Sequence, residues 1–64
     1  MDILKIKSEI AKQLVLQDMD YQQLADKTGY KKSSVNAFMS RTGAKSENFA
    51  KQACKVLKID INKL

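Results

Sequence analysis

Lys32, Ser33, Asn36 and Ala37 stand at i, i+1, i+4 and i+5 in this 64-residue chain. On a helix those positions share one face. That face would present an ammonium donor, a hydroxyl, a carboxamide and a methyl group. Such groups bind and discriminate through hydrogen bonds and shape, and none is an activated nucleophile. A face meant only to be wet would carry mostly Glu and Lys, so small and polar groups here suggest a surface to be read against. Catalytic alternatives are thin. The sequence has no His, which removes the usual general base near neutral pH and the commonest metal ligand. Its one cysteine, Cys54, can make neither an internal disulfide nor a thiolate zinc cage. An unpaired thiol fits a reducing cytosol. The expectation is a cytoplasmic, non-enzymatic binding protein with no cofactor and no metal.

Charge narrows the partner. Twelve Lys and Arg against seven Asp and Glu give a net charge of +5. The excess is concentrated: Lys27, Lys31, Lys32, Arg41, Lys45, Lys51, Lys55 and Lys58 face a single acidic residue, Glu47, which makes that segment +7. The remainder of the chain is −2. A basic half on a small domain is the electrostatic footprint of a polyanion binder, most often of nucleic acid. No membrane role is expected. The longest aliphatic run is Leu14-Val15-Leu16, far short of the roughly 20 residues a span requires, and no signal peptide is recognisable.

The elements that must position this face follow from periodicity and caps. With no Pro and two Gly, helix is the default reading, and residues 1–64 are expected to form one domain with one small core. Ile3, Ile6, Ile10 and Leu14, widened by Ala11 and Val15, predict an amphipathic helix over 3–16, with Lys5, Lys7, Glu9, Lys12 and Gln13 on its outer side. Gln17-Asp18-Met19 breaks the pattern. Asp20 reads as an N-cap with Gln23 completing a capping box, and Gly29 closes a second helix over 21–28 in a left-handed conformation. Leu24, Ala25 and Thr28 are its narrow inward face. A third helix over 32–40 has Val35, Phe38 and Met39 as its apolar side. Ser46 caps a fourth to about Leu57, with Phe49, Ala50, Ala53, Cys54 and Leu57 inward and Lys51, Lys55 and Lys58 outward. Asp60 is expected to cap a last helical turn bearing Ile61 and Leu64, which close the core or form a dimer seam. Five short helices make a compact all-α bundle.

Two short helices across a glycine turn, 21–28 and 32–40, have the spacing of a helix-turn-helix, whose second helix enters the DNA major groove. Ala25 is small where the helices cross, Gly29 follows four residues later, and Val35 and Phe38 anchor the second helix with Tyr30. The run Leu24-Ala25-Asp26-Lys27-Thr28-Gly29-Tyr30-Lys31-Lys32-Ser33-Ser34-Val35-Asn36-Ala37-Phe38 resembles the helix-turn-helix of the lambda repressor and Cro-type (XRE) regulators. By motif the resemblance covers about two-thirds of the chain, on to Lys58-Ile59-Asp60-Ile61-Asn62-Lys63-Leu64. It implies a five-helix lambda-repressor-like DNA-binding domain that dimerises on a pseudo-palindromic operator.

Carried over position by position, the resemblance makes Lys32, Ser33, Asn36 and Ala37 the base-contacting set. Lys32 suits guanine O6/N7, Asn36 suits adenine N6/N7, Ser33 serves several bases, and the Ala37 methyl suits a thymine methyl. Tyr21, Gln22, Lys31, Ser40, Arg41 and Lys45 become the phosphate contacts, helped by the amides that begin the fourth helix. Departures are visible: Tyr21 where Gln is common, Lys31 where a Ser-like cap is usual, Arg41 where Gly is frequent, and no basic N-terminal arm. Cations at the start of the third helix oppose its dipole by roughly a few tenths of a kcal/mol, a cost that a nearby phosphate would offset. The resulting expectation is a small Cro-like repressor of bacterial or phage type, binding double-stranded DNA as a homodimer. Greasy ends (Met1, Ile3, Leu4, Ile6, Ile61, Leu64) support a rival, an antirepressor or antitoxin of the same fold that acts on a partner repressor or toxin protein.

Overall fold

A computed structural model describes residues 2–40 and 46–64. Among them are four α-helices, α1 (Ile3–Leu16), α2 (Tyr21–Thr28), α3 (Lys32–Met39) and α4 (Glu47–Leu57), then one turn of 3-10 helix over Ile61–Lys63. The all-helical expectation holds. The fifth helix does not: Lys63 and Leu64 donate to the carbonyls of Asp60 and Ile61, three residues back, so the segment closes only the tighter rings. Asp60 caps that turn, its carboxylate accepting from the Asn62 amide at 3.0 Å.

Local chemistry sets most helix ends. Asp2 begins α1 by accepting from the amides of Leu4 and Lys5 at 3.1 and 3.3 Å. Asp20 and Gln23 form the reciprocal capping box, with the Gln23 amide donating to the Asp20 carboxylate at 2.8 Å and the Asp20 amide donating to the Gln23 side chain at 2.9 Å. Gly29 takes φ +78° and donates to the Ala25 carbonyl. The Ser46 hydroxyl accepts from the Phe49 amide at 3.2 Å. Helix α3 ends at Met39, one residue before the expected boundary, because Ser40 turns to an extended conformation.

Two left-handed closures use no glycine. Asp18 at φ +51° ends α1 and Lys58 at φ +60° ends α4. In each the following apolar residue donates back across the last turn, Met19 to Leu14 and Ile59 to Cys54, both at 2.8 Å. This is the Schellman pattern, and Met19 and Ile59 both pack on the core as a result. An L-residue in this region loses roughly 1 kcal/mol or more, and Asp tolerates it better than Lys. Lys58→Gly is therefore expected to stabilise the domain by about 1 kcal/mol, raising its melting midpoint by roughly 4–8 °C in a calorimetric scan. An unchanged or lower midpoint would mean that the left-handed turn carries no strain.

The core sits where all four helices converge. Ile6, Ile10 and Leu14 from α1 meet Leu24 and Ala25 from α2, Val35 and Phe38 from α3, and Phe49, Ala50, Ala53, Cys54 and Leu57 from α4. The Phe49 ring stands edge-on to Tyr30 at 5.1 Å and tilted against Phe38 at 4.6 Å. Thr28 is buried yet satisfied, its hydroxyl donating to the Leu24 carbonyl at 2.8 Å. Ala11 and Val15 depart from expectation. Both are exposed, Val15 by 81%, because each lies 100° beyond Ile10 and Leu14, outside the arc that faces the core. Ile61 is half-buried on the core, whereas Leu64 is exposed. Burial, and secondarily Glu9, pushes the Cys54 thiol up from its ordinary range. Cys54 is a free thiol packed in the core.

Candidate nucleic-acid interface

The outward face of α3 is fixed by what its other side buries. Val35 and Phe38 are inaccessible to solvent, and Tyr30 braces the same side through Phe49. Helical geometry then forces Lys32, Ser33, Asn36 and Ala37 outward, and all four are exposed. Helix α2 packs behind α3, and the buried methyl of Ala25 lets the two backbones approach. Gly29 supplies the positive φ that reverses the chain between them.

An open groove of about 960 Å³ runs along one flank of this face. It is lined by Ala11 and Val15 of α1, Tyr21 and Gln22 at the start of α2, and Lys32 and Asn36 of α3. The fold thus brings together four expected site residues, Tyr21, Gln22, Lys32 and Asn36. Ser33 stands outside the groove. Ala37 lines a smaller hollow of about 220 Å³ on the other flank of α3, beside Tyr30, Ser34 and Phe49. Asp18 and Asp20 also border the large groove. The carboxylate of Asp20 is occupied in capping α2.

The expected phosphate contacts divide. Lys31 is exposed at the N-cap of α3, and its donor-only ammonium cannot cap the first-turn amides. Gln22 is exposed, but its amide donates to Asp26 at 3.0 Å. Tyr21 is half-buried against the core and borders the groove. The hydroxyl of Ser40 donates to the Ala37 carbonyl at 2.9 Å. Arg41 and Lys45 lie outside the described residues, as does Met1.

One residue assigned to the outer side of α1 lies elsewhere. The ammonium of Lys7 donates to the Ser40 carbonyl at 3.3 Å and stands 5.2 Å from the centroid of the Phe38 ring. A signal for this was present: Lys7 is four residues after Ile3 and follows Ile6, so it borders the apolar stripe. No protein-family model, curated protein or solved structure matches this chain.

Proposed function

We propose that the chain is a sequence-specific double-stranded DNA-binding regulator of the lambda repressor and Cro type, acting on an operator as a homodimer. One observation carries this reading: a short helix, buried on one side by Val35 and Phe38, turns Lys32, Ser33, Asn36 and Ala37 to solvent, with Lys32 and Asn36 lining a groove. A helix braced from behind is narrow enough to enter a major groove about 12 Å wide. In this reading Lys32 and Asn36 meet base edges with Ser33 and Ala37, and one phosphate strand follows Tyr21, Gln22 and Lys31. The +7 segment from Lys27 to Lys58, which includes α3, supplies the attraction.

Selection of bound sites from random duplex DNA tests it. A palindromic consensus with half-sites about one helical turn apart is expected, together with a log–log salt slope of roughly −0.9 per phosphate neutralised. No enrichment, or a slope near zero, would sink the proposal.

A second reading has its own observation. Leu4, Val15 and Leu16 expose 68%, 81% and 66% of their surface, all on α1. Such side chains suit a protein partner, as in an antirepressor or antitoxin. A gel shift on the chain's own upstream DNA, with and without the neighbouring gene product, separates the two: loss of the shift on adding that product favours the partner.

A further inference from the structure

Helix α3 has little of its own to hold its ends. It is eight residues long, shorter than a helix that persists alone in water. Its N-cap residue makes no side-chain hydrogen bond, its first turn has no acidic residue and its last turn no basic one. Among the described residues, a cation reaches that C-terminal end from another element. Lys7 reaches from α1, across 33 positions of sequence, to donate its ammonium to the Ser40 carbonyl at 3.3 Å. The same ammonium stands 5.2 Å from the centroid of the Phe38 ring. It therefore faces the negative end of the helix dipole and an electron-rich aromatic face at once. Phe38 is buried in the core, and Ser40 is the residue on which α3 ends. A tie to both restrains how far α3 slides along its axis and how far it rolls about it. Those two freedoms decide where Lys32, Ser33, Asn36 and Ala37 point.

We propose that Lys7 is a positioning residue for base recognition, holding the C-terminal end of α3 without itself contacting DNA. This rests on the DNA-binding reading above. Its ammonium is engaged within the protein, so removing it should disturb aim more than attraction. A residue that contacts a phosphate behaves oppositely: it contributes to every sequence equally and to the salt slope.

Two variants test this. Lys7→Met keeps an unbranched apolar stem beside Phe38 and removes the charge and the donor, while Lys7→Arg restores both. Binding to the selected duplex and to a scrambled duplex is measured across a salt series, with amide exchange of Phe38, Met39 and Ser40 in the free protein. For Lys7→Met these three amides should exchange about ten-fold faster relative to those of α4. The selected duplex should be bound about ten-fold more weakly and the scrambled one by less than about three-fold, with an unchanged salt slope. Lys7→Arg should return every value to within about two-fold of the parent, since the cation is restored. A slope reduced by roughly 0.9 per protomer, with equal losses on both duplexes, would make Lys7 a phosphate contact and overturn the proposal. Unaltered exchange and unaltered discrimination would overturn it too. A parent chain that binds no duplex defeats the DNA-binding reading and the recognition role with it. The exchange measurement still reports in that case whether Lys7 holds the end of α3, so the two failures are told apart.

Discussion

Phe49→Ala should leave the chain without a cooperative melting transition above room temperature. Phe49 is buried at the start of α4, and its ring is the common neighbour of Tyr30, in the turn before α3, and Phe38, on α3 itself. Truncating a buried Phe to Ala costs about 3–5 kcal/mol in transfer and cavity terms, and lost ring–ring contacts add to that. A domain of this size has a total stability of only about 3–10 kcal/mol. The loss is thus comparable to the whole margin. Collapse into the cavity is hindered because its walls come from α3, α4 and the turn, which cannot all shift without breaking the α2–α3 packing. Phe49→Leu keeps most of the volume and should cost less than about 2 kcal/mol, preserving the transition. Urea and thermal unfolding followed by circular dichroism check both. If Phe49→Ala melts cooperatively with less than about 1 kcal/mol lost, the aromatic cluster is not what joins α3 to the body of the protein.

What the sequence made legible was mostly what neighbours along the chain decide. Asp20 with Gln23, Gly29 and Ser46 act on amides or dihedrals within four residues, so their types announced their roles. The left-handed closure at Lys58 was hidden because lysine does not signal it, and at Asp18 only the break in the apolar pattern hinted at one. Their cause lies one position on, where Met19 and Ile59 are drawn onto the core. Periodicity gave the direction in which α1 buries its stripe but not the width that neighbouring helices would cover, which is why Ala11 and Val15 were misplaced. The outward set on α3 was readable because Val35 and Phe38 lie on the same helix and can only point the other way. That Tyr21 and Gln22 share a groove with Lys32 and Asn36, and that Lys7 reaches Ser40, depends on how separate helices cross. Such relations are long-range, and no local pattern encodes them.

On the DNA-binding function proposed above, Lys32→Ala should relax sequence preference at one base pair per half-site, whereas Lys31→Ala should weaken all duplexes alike. The two lysines are adjacent and both exposed, so net charge cannot distinguish them; position can. Lys32 opens the first turn of α3 and lines the groove wall with Asn36, while Lys31 is the N-cap, outside the helix proper. A donor aimed at guanine O6/N7 contributes about 1–3 kcal/mol of discrimination against the wrong base. In a symmetric dimer each substitution removes two such donors, so the loss on the selected palindrome should be about 2–6 kcal/mol, roughly 30-fold or more. The decisive measurement crosses protein and DNA changes. Altering the matching base pair in both half-sites should cost the parent chain that same penalty and cost Lys32→Ala almost nothing, since the contact is already gone. Lys31→Ala should keep the full base-pair penalty and lower the salt slope by roughly 0.9 per protomer. Should Lys32→Ala still pay the full penalty at every base pair of the site, the ammonium of Lys32 does not read bases, and the face of α3 has been assigned in the wrong rotation.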